Sequence, residues 1–170
     1  MFEQPAVKER EHSENGAHEK EYLGWGQIEG LVDRLLEQLP RDYDVLMAVT
    51  RGGLVPAGLI AEKINQRNVM VAAVMFYTGE GETLDEPHFL QFPSDALLNR
   101  KRVLVIDDIW DSGRTAMGVK ERIEAAGGEA EVAVLHYKPE HSVFEEKPDY
   151  YVVETDRWIV YPWEPAEDQA

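Results

Sequence analysis

The chain of 170 residues contains no cysteine, which excludes disulfide bonds, thiolate nucleophiles and cysteine-bound metals. It is also poor in positive charge, because 17 Lys and Arg are outnumbered by 33 Asp and Glu and the formal net charge is −16. Such a field repels phosphate backbones and anionic lipids, so we expect neither nucleic acid nor a membrane as a partner. No apolar run approaches a membrane span, and the first residues lack the apolar stretch of a secretory signal. A soluble, cytoplasmic, single-domain protein is predicted.

The composition of the chain changes near residue 22. Residues 1–21 are polar and almost without large apolar side chains, which predicts a mobile N-terminal arm. Residues 22–163 contain the apolar and amphipathic stretches of a folded domain, and the acidic residues 164–170 are predicted to form a tail. Within the domain, residues 78–100 are acidic and interrupted by Gly and Pro, which is typical of a flexible flap near a functional site.

Short apolar runs alternate with helical stretches along the domain. The runs predict strands, and apolar residues that recur every three or four positions predict the helices between them. Predicted strands cover residues 45–49, 69–77, 103–106, 131–137 and 150–153, and predicted helices cover residues 27–39, 54–64 and 115–126. This alternation predicts an α/β fold, with a mainly parallel twisted sheet flanked by helices. Ligands bind such sheets at the carboxyl ends of the strands.

The most informative strand end lies in residues 103–116, with the sequence VLVIDDIWDSGRTA. Asp107 and Asp108 follow the apolar run, and a short loop of small and hydroxyl residues precedes the next helix. Converging backbone N–H groups at a helix N-terminus suit a phosphate, and adjacent carboxylates suit Mg²⁺. Asp and Ser are also common helix caps, but a cap does not explain Asp107, Asp108 and Asp111 together.

Residues 103–116 resemble the phosphoribosyl pyrophosphate (PRPP) signature of the type I phosphoribosyltransferases, in which two acids precede a short loop and Asp-Ser/Thr-Gly-X-Thr. Residues 50–56, with the sequence TRGGLVP, are similar to the pyrophosphate loop of the bacterial xanthine-guanine branch, and residues 155–163 resemble the end of those enzymes. The resemblance covers residues 22–163 in order and spacing. It implies the type I phosphoribosyltransferase fold, with the flap described above and a small base-binding C-terminal segment at about residues 138–163.

The resemblance also implies a reaction and a set of site residues. It implies that a 6-oxopurine and PRPP give a nucleoside 5′-monophosphate and pyrophosphate, with Asp111 as the general base and Mg²⁺ as the cofactor. The metal ligands that it implies are Asp108 and Asp107, with Asp108 the more direct. The implied PRPP-binding residues are Arg51, Gly52, Gly53, Asp107, Asp108, Asp111, Ser112, Gly113, Arg114 and Thr115. The implied purine-binding residues are Lys138, Trp158 and Ile159.

The implied residues favour some bases over others, and they are compatible with more than one function. A lysine at position 138 that donates to a 6-oxo group makes adenine the least favoured base. Hypoxanthine and guanine are favoured and xanthine stays open, because the contacts at purine C2 involve backbone groups. The alternatives are a PRPP-binding regulator with little turnover, a phosphoribosyltransferase for another nucleobase, and a catalytically silent interaction domain. The family also implies a homodimer or a homotetramer.

Overall fold

A computed structural model describes residues 19–40, 42–77 and 83–165. Strands and helices alternate along most of this length, as the apolar pattern predicts. The elements are β1 (Lys20–Tyr22), α1 (Trp25–Leu36), β2 (Val45–Val49), α2 (Leu54–Ile64), β3 (Val69–Tyr77), β4 (Thr83–Gln91), α3 (Asp95–Leu98), β5 (Arg102–Trp110), α4 (Arg114–Ala125), β6 (Glu129–Tyr137), β7 (Tyr150–Glu154) and β8 (Trp158–Val160).

A six-stranded sheet in the order β4-β3-β2-β5-β6-β7 forms the centre of the molecule. All neighbouring strands in this sheet run parallel except β3 and β4, which are antiparallel. The chain moves outward from β2 to β3, and then returns to place β5 on the other side of β2. The predicted α/β fold with a mainly parallel sheet is therefore confirmed, and the strand order reverses beside the ends of β2 and β5, where such sheets bind ligands.

The two faces of the sheet bury separate sets of side chains. In β2, Val45, Met47 and Val49 pack on the face that α3 and α4 cover, whereas Leu46 and Ala48 pack on the face that α1 and α2 cover. This division follows from the strand geometry, because successive side chains point to opposite faces. A strand covered on both faces must be apolar throughout, which is why β2 could be predicted from its composition alone.

The predicted flap contains more regular structure than its composition indicates. After residues 78–82, which lie outside the described residues, β4 pairs with β3 in antiparallel register, with Phe89 opposite Val74. Phe89 and Phe92 are partly buried against the core, and the short helix α3 follows. A proline at position 87 is tolerated because β4 is an edge strand, and an edge strand has unpaired backbone positions.

A second, two-stranded sheet joins the two ends of the described chain. β1 and β8 pair in parallel, with Lys20 opposite Trp158 and Tyr22 opposite Val160. Arg157, next to β8, forms ion pairs with Glu19 at 3.6 Å and Glu21 at 3.4 Å. Residues 20 and 21 thus belong to this sheet rather than to the predicted arm, whose residues 1–18 lie outside the described part. The small sheet fixes the segment that carries Trp158.

No helix in the described part of the chain is long and apolar enough to cross a membrane.

Candidate active site

The acidic pair lies within β5 and not after it. The apolar pattern predicts that this strand ends at residue 106, but Asp107 pairs with Val134 and Trp110 pairs with Tyr137 in β6. The strand continues through the acids because β6 supplies partners for its backbone groups, a long-range contact that a local pattern cannot show. Asp107 and Asp108 are partly buried as a result.

A pocket of about 360 Å³ opens next to Asp108. Arg51 and Gly52 line one side of it, and Trp163 and Glu164 line another. A methyl group at position 52 would overlap the Asp108 carboxylate, so Gly52 is required by this close approach rather than by a positive φ. The peptide bond between Thr50 and Arg51 is cis. The structure therefore brings the predicted pyrophosphate loop against the predicted metal ligand.

The two adjacent carboxylates are unfavourable to ionise in this environment. Burial raises the pKa of Asp107 well above its usual range, and the charge of Asp108 raises that pKa further. Burial also raises the pKa of Asp108 to about 6, and a hydrogen bond with Asp107 opposes this only in part. The Glu164 carboxylate raises the pKa of Asp108 as well. A positive charge nearby would therefore favour the ionised form of both carboxyl groups.

The predicted phosphate loop leads from β5 into α4. Gly113 precedes the first residue of α4, Arg114, and has a φ of 83°, which is unfavourable for residues with a side chain. A methyl group at position 113 would also overlap the Trp110 ring. The Arg114 N–H donates to Ser112 Oγ at 3.4 Å, and Thr115 lies in the first turn of the helix. Ser112, Arg114 and Thr115 are partly exposed at the N-terminus of α4, as the phosphate hypothesis requires.

The residues predicted for the base side lie together in space. Lys138 Nζ is 3.6 Å from Asp111 Oδ2 and 5.7 Å from the centroid of the Trp158 ring. The Lys138 side chain is only 5% exposed, whereas 51% of the Asp111 side chain and 53% of Trp158 are exposed. Ile159 is buried in β8 and anchors this strand. An open carboxylate and an open aromatic face therefore flank a buried ammonium group.

This convergence follows from the sheet. Asp111 comes directly after β5 and Lys138 directly after β6, and these strands are parallel neighbours. The last paired residues of the two strands are Trp110 and Tyr137, so the chain positions that follow them meet at the same edge. Both residues are assigned by resemblance, and the strand pairing is the physical reason for their proximity.

Several residues of the site, among them His141, Trp163 and Glu164, were not identified from the sequence. His141 Nδ1 lies 2.8 Å from Asp111 Oδ1, and Trp163 and Glu164 line the pocket described above. The Trp163 ring stacks on Tyr161, with centroids 4.6 Å apart and planes 13° apart. His141 follows Lys138 in a polar loop that offers no local pattern. Residues 158–163 contain three aromatic side chains, a pattern that could have pointed to Trp163. Only Trp158 and Ile159 were assigned from that segment.

A buried hydrogen-bonded chain connects the C-terminal segment to β5. The Tyr161 hydroxyl donates to the backbone oxygen of Asp108 at 3.1 Å, and His136 Nδ1 lies 2.7 Å from the same hydroxyl. A hydroxyl has one proton, so Nδ1 of His136 carries a hydrogen and donates to Tyr161. Burial lowers the pKa of His136 to about 4, and the positive charge of Lys138 acts in the same direction. His136 is therefore a neutral, structural histidine.

The chain belongs to the phosphoribosyltransferase family, since residues 18–170 match the family described as phosphoribosyl transferase domain. It is 36% identical over 147 residues to the xanthine-guanine phosphoribosyltransferase of Gluconobacter oxydans (strain 621H), which covers 84% of this chain and 83% of that protein. The corresponding enzyme of Chromohalobacter salexigens is 32% identical over 150 residues, with 86% and 85% covered.

Solved structures agree with this assignment. The purine phosphoribosyltransferase from Pyrococcus horikoshii Ot3 has 36% sequence identity and a TM-score of 0.73, with 86% of this chain and 95% of that chain covered. The family and fold that the sequence analysis predicts are therefore confirmed.

Proposed function

We propose that this protein is a purine-salvage enzyme that transfers the 5-phosphoribosyl group of PRPP to a 6-oxopurine and releases pyrophosphate. The observation that carries the proposal is the convergence of Asp111, Lys138 and Trp158 directly after β5, the strand whose Asp108 lines the pocket. These groups offer a base, a cationic donor and a stacking surface in one place. The names of the relatives from Gluconobacter oxydans and Pyrococcus horikoshii support a purine as the acceptor.

The reaction exchanges one bond at the anomeric carbon of ribose. Purine N9 forms a bond to this carbon while the bond to pyrophosphate breaks, and the pyrophosphate leaves with the electron pair. The sugar develops oxocarbenium character during the exchange, as it does in glycoside hydrolysis. The proton on purine N7 passes to Asp111, whose exposed carboxylate is accessible to a base stacked on Trp158.

The donor set of the acidic pair fits Mg²⁺. Asp107 and Asp108 would hold the ion, with Asp108 the more direct ligand because it faces the pocket. Burial is the main cause of their raised pKa values, to which the charge of Asp108 adds at Asp107 and the charge of Glu164 adds at Asp108, and a divalent cation would offset both effects. Within the described residues no set of three His, Asp or Glu side chains forms a metal cluster, which suits an ion that also binds substrate phosphates. When bound, Mg²⁺ supplies Lewis-acid stabilisation of the leaving pyrophosphate.

The remaining polar groups of the site bind and orient PRPP. Arg51 and the backbone at Gly52 and Gly53 contact the pyrophosphate, where a guanidinium offers charge-assisted hydrogen bonds. Residues 112–115 bind the 5′-phosphate at the N-terminus of α4. The 5′-phosphate is remote from the reacting bond, so its binding energy serves to position the sugar.

The base side of the site selects for an oxygen at purine C6. The buried Lys138 ammonium donates to a 6-oxo group, whereas the amino group of adenine would place two donors against each other. The backbone at Ile159 contacts the purine edge near C2. Hypoxanthine and guanine are the favoured substrates, and xanthine is a further candidate.

The test is pyrophosphate release with PRPP and Mg²⁺, with hypoxanthine, guanine, xanthine, adenine, uracil and orotate offered separately. We expect turnover with at least one 6-oxopurine and none with adenine or the pyrimidines. The matched control is Asp111→Asn, which removes the proposed general base and should retain PRPP binding. If PRPP binds but no base is converted, the proposal is wrong and a PRPP-dependent regulator takes its place.

We further propose that the enzyme acts in the cytoplasm as a homodimer or homotetramer. Large apolar side chains lie exposed near the β4 edge of the sheet, among them Leu90 with 61% and Leu97 with 51% exposure. Burial of such side chains against a second copy favours association. Light scattering coupled to size exclusion will give the number of copies, and a monomer at micromolar concentration would contradict this proposal.

A further inference from the structure

We propose that His141 is the positioning residue of the general base, and that it keeps the Asp111 carboxylate aimed at the purine while Lys138 contacts the 6-oxo group. This inference rests on the proposed function. It assigns a role to a side chain that neither the PRPP motif nor the purine-binding residues include.

Each carboxylate oxygen of Asp111 faces a different side chain of the short turn at residues 138–142. His141 Nδ1 lies 2.8 Å from Oδ1, which is hydrogen-bond distance, and Lys138 Nζ lies 3.6 Å from Oδ2, which is an ion pair without a close hydrogen bond. An ionised carboxylate only accepts hydrogen bonds, so Nδ1 of His141 carries the hydrogen in this contact. The two contacts therefore differ in kind.

The turn that carries these groups is fixed to the end of β5. The N–H groups of His141 and Ser142 both donate to the Lys138 carbonyl at 3.1 Å, which closes the turn. The Lys138 N–H donates to the Trp110 carbonyl at 2.9 Å, and the Val143 N–H donates to the Ser112 carbonyl at 3.0 Å. His141 is thus held from both sides by the strand and loop that flank Asp111.

The differing contacts assign different tasks to the two side chains. In the proposed reaction the Lys138 ammonium turns to the 6-oxo group, which leaves Oδ2 of Asp111 available for the N7 proton. The Asp111 side chain is 51% exposed and would then be free to rotate, because solvent does not restrict its rotamer. His141 retains Oδ1 throughout, so the carboxylate stays in the orientation that proton transfer requires.

The experiment compares steady-state kinetics of the wild type with His141→Ala and His141→Asn. The alanine variant should lower kcat by about 10- to 100-fold, as misplaced catalytic groups do, with KM for PRPP changed by less than about twofold. The asparagine variant places an amide N–H near the position of Nδ1 and should recover most of kcat. Lys63→Gln is the matched control, since it breaks an ion pair of 2.7 Å with Asp33 on the far surface and should behave as wild type.

The outcomes distinguish a failure of the role assigned to His141 from a failure of the proposed function. An active wild type with unchanged kcat in His141→Ala overturns the role of His141 alone, and so does an asparagine variant that is as slow as the alanine variant. A wild type that converts no base overturns the proposed function and this inference with it. Calorimetry checks that each variant still binds PRPP, which shows that it is folded. If His141→Ala does not bind PRPP, the kcat of His141→Asn is compared with that of the wild type instead.

Discussion

The acid sensitivity of the buried His136 is a quantitative test of the hydrogen-bonded chain beneath the site. His136 has a pKa of about 4 in the folded protein, against 6.5 for an exposed imidazole. Between these two values the unfolded chain binds a proton that the folded protein does not, so stability is lost as the pH falls through this window. A full passage through it corresponds to about 3 kcal/mol, since one pKa unit equals about 1.4 kcal/mol.

The perturbation is His136→Asn, which keeps an amide N–H for Tyr161 but removes the titrating ring. Between pH 7.5 and pH 5 the wild type should lose about 2 kcal/mol more stability than the variant, because most of the window lies in this interval. The assay is urea unfolding at both pH values and at one protein concentration, since association also contributes to stability. The constant cost of the substitution cancels in the difference between the two pH values.

The interval from pH 7.5 to pH 9 provides an internal control. His136 is neutral in both folded and unfolded chains there, so the two stability curves should run parallel. If wild type and variant lose equal stability between pH 7.5 and pH 5, His136 does not resist protonation on folding. The reasoning that makes it a neutral donor to Tyr161 would then be refuted.

Three substitutions test the site itself. Asp111→Asn should lower kcat by about 10²- to 10⁴-fold with PRPP affinity retained by calorimetry, and unchanged turnover would remove it as the base. Gly52→Ala should weaken binding of PRPP with Mg²⁺ by about tenfold or more, whereas Gly58→Ala, where a methyl group meets nothing within 4 Å, should bind normally. Gly113→Ala should cost about 1–3 kcal/mol in urea unfolding, and a smaller loss would mean that the loop relaxes.

The fold was predictable where local pattern and tertiary environment agree. β2, α2 and β3 were predicted to the residue, because each apolar stretch is bounded by turn or polar residues, and in β2 every residue is also buried. β1 and β8 were not predicted, since each has only three residues and gains its structure from the other, across almost the whole chain. The polar half of β5 was missed for the same reason, because β6 stabilises it.

The site was predictable in its residue types but not in its contacts. The motif at residues 103–116 assigned Asp107, Asp108 and Asp111 to PRPP and Mg²⁺, and the structure brings Asp108 against the pyrophosphate loop. His141 could not be recognised, because a histidine in a polar loop has the same local pattern whether it faces solvent or a carboxylate. The register of β5 and β6 places Lys138 beside Asp111, but only the turn closed on the Lys138 carbonyl brings His141 to the same carboxylate.

Under the proposed function, the protein and its substrate have charges of the same sign, and the site compensates for this locally. The net charge of −16 repels PRPP at long range, and Asp108 and Glu164 extend that repulsion into the pocket. Arg51 and the N-terminus of α4 attract PRPP only at contact distance, and at this distance salt weakens the electrostatic attraction little. The raised pKa values of Asp107 and Asp108, caused chiefly by burial, show that ionising these acids is unfavourable in the protein alone. In the proposed reaction a divalent cation that arrives with PRPP would offset this cost, so we expect the site to bind the Mg²⁺ complex of PRPP more tightly than the free anion.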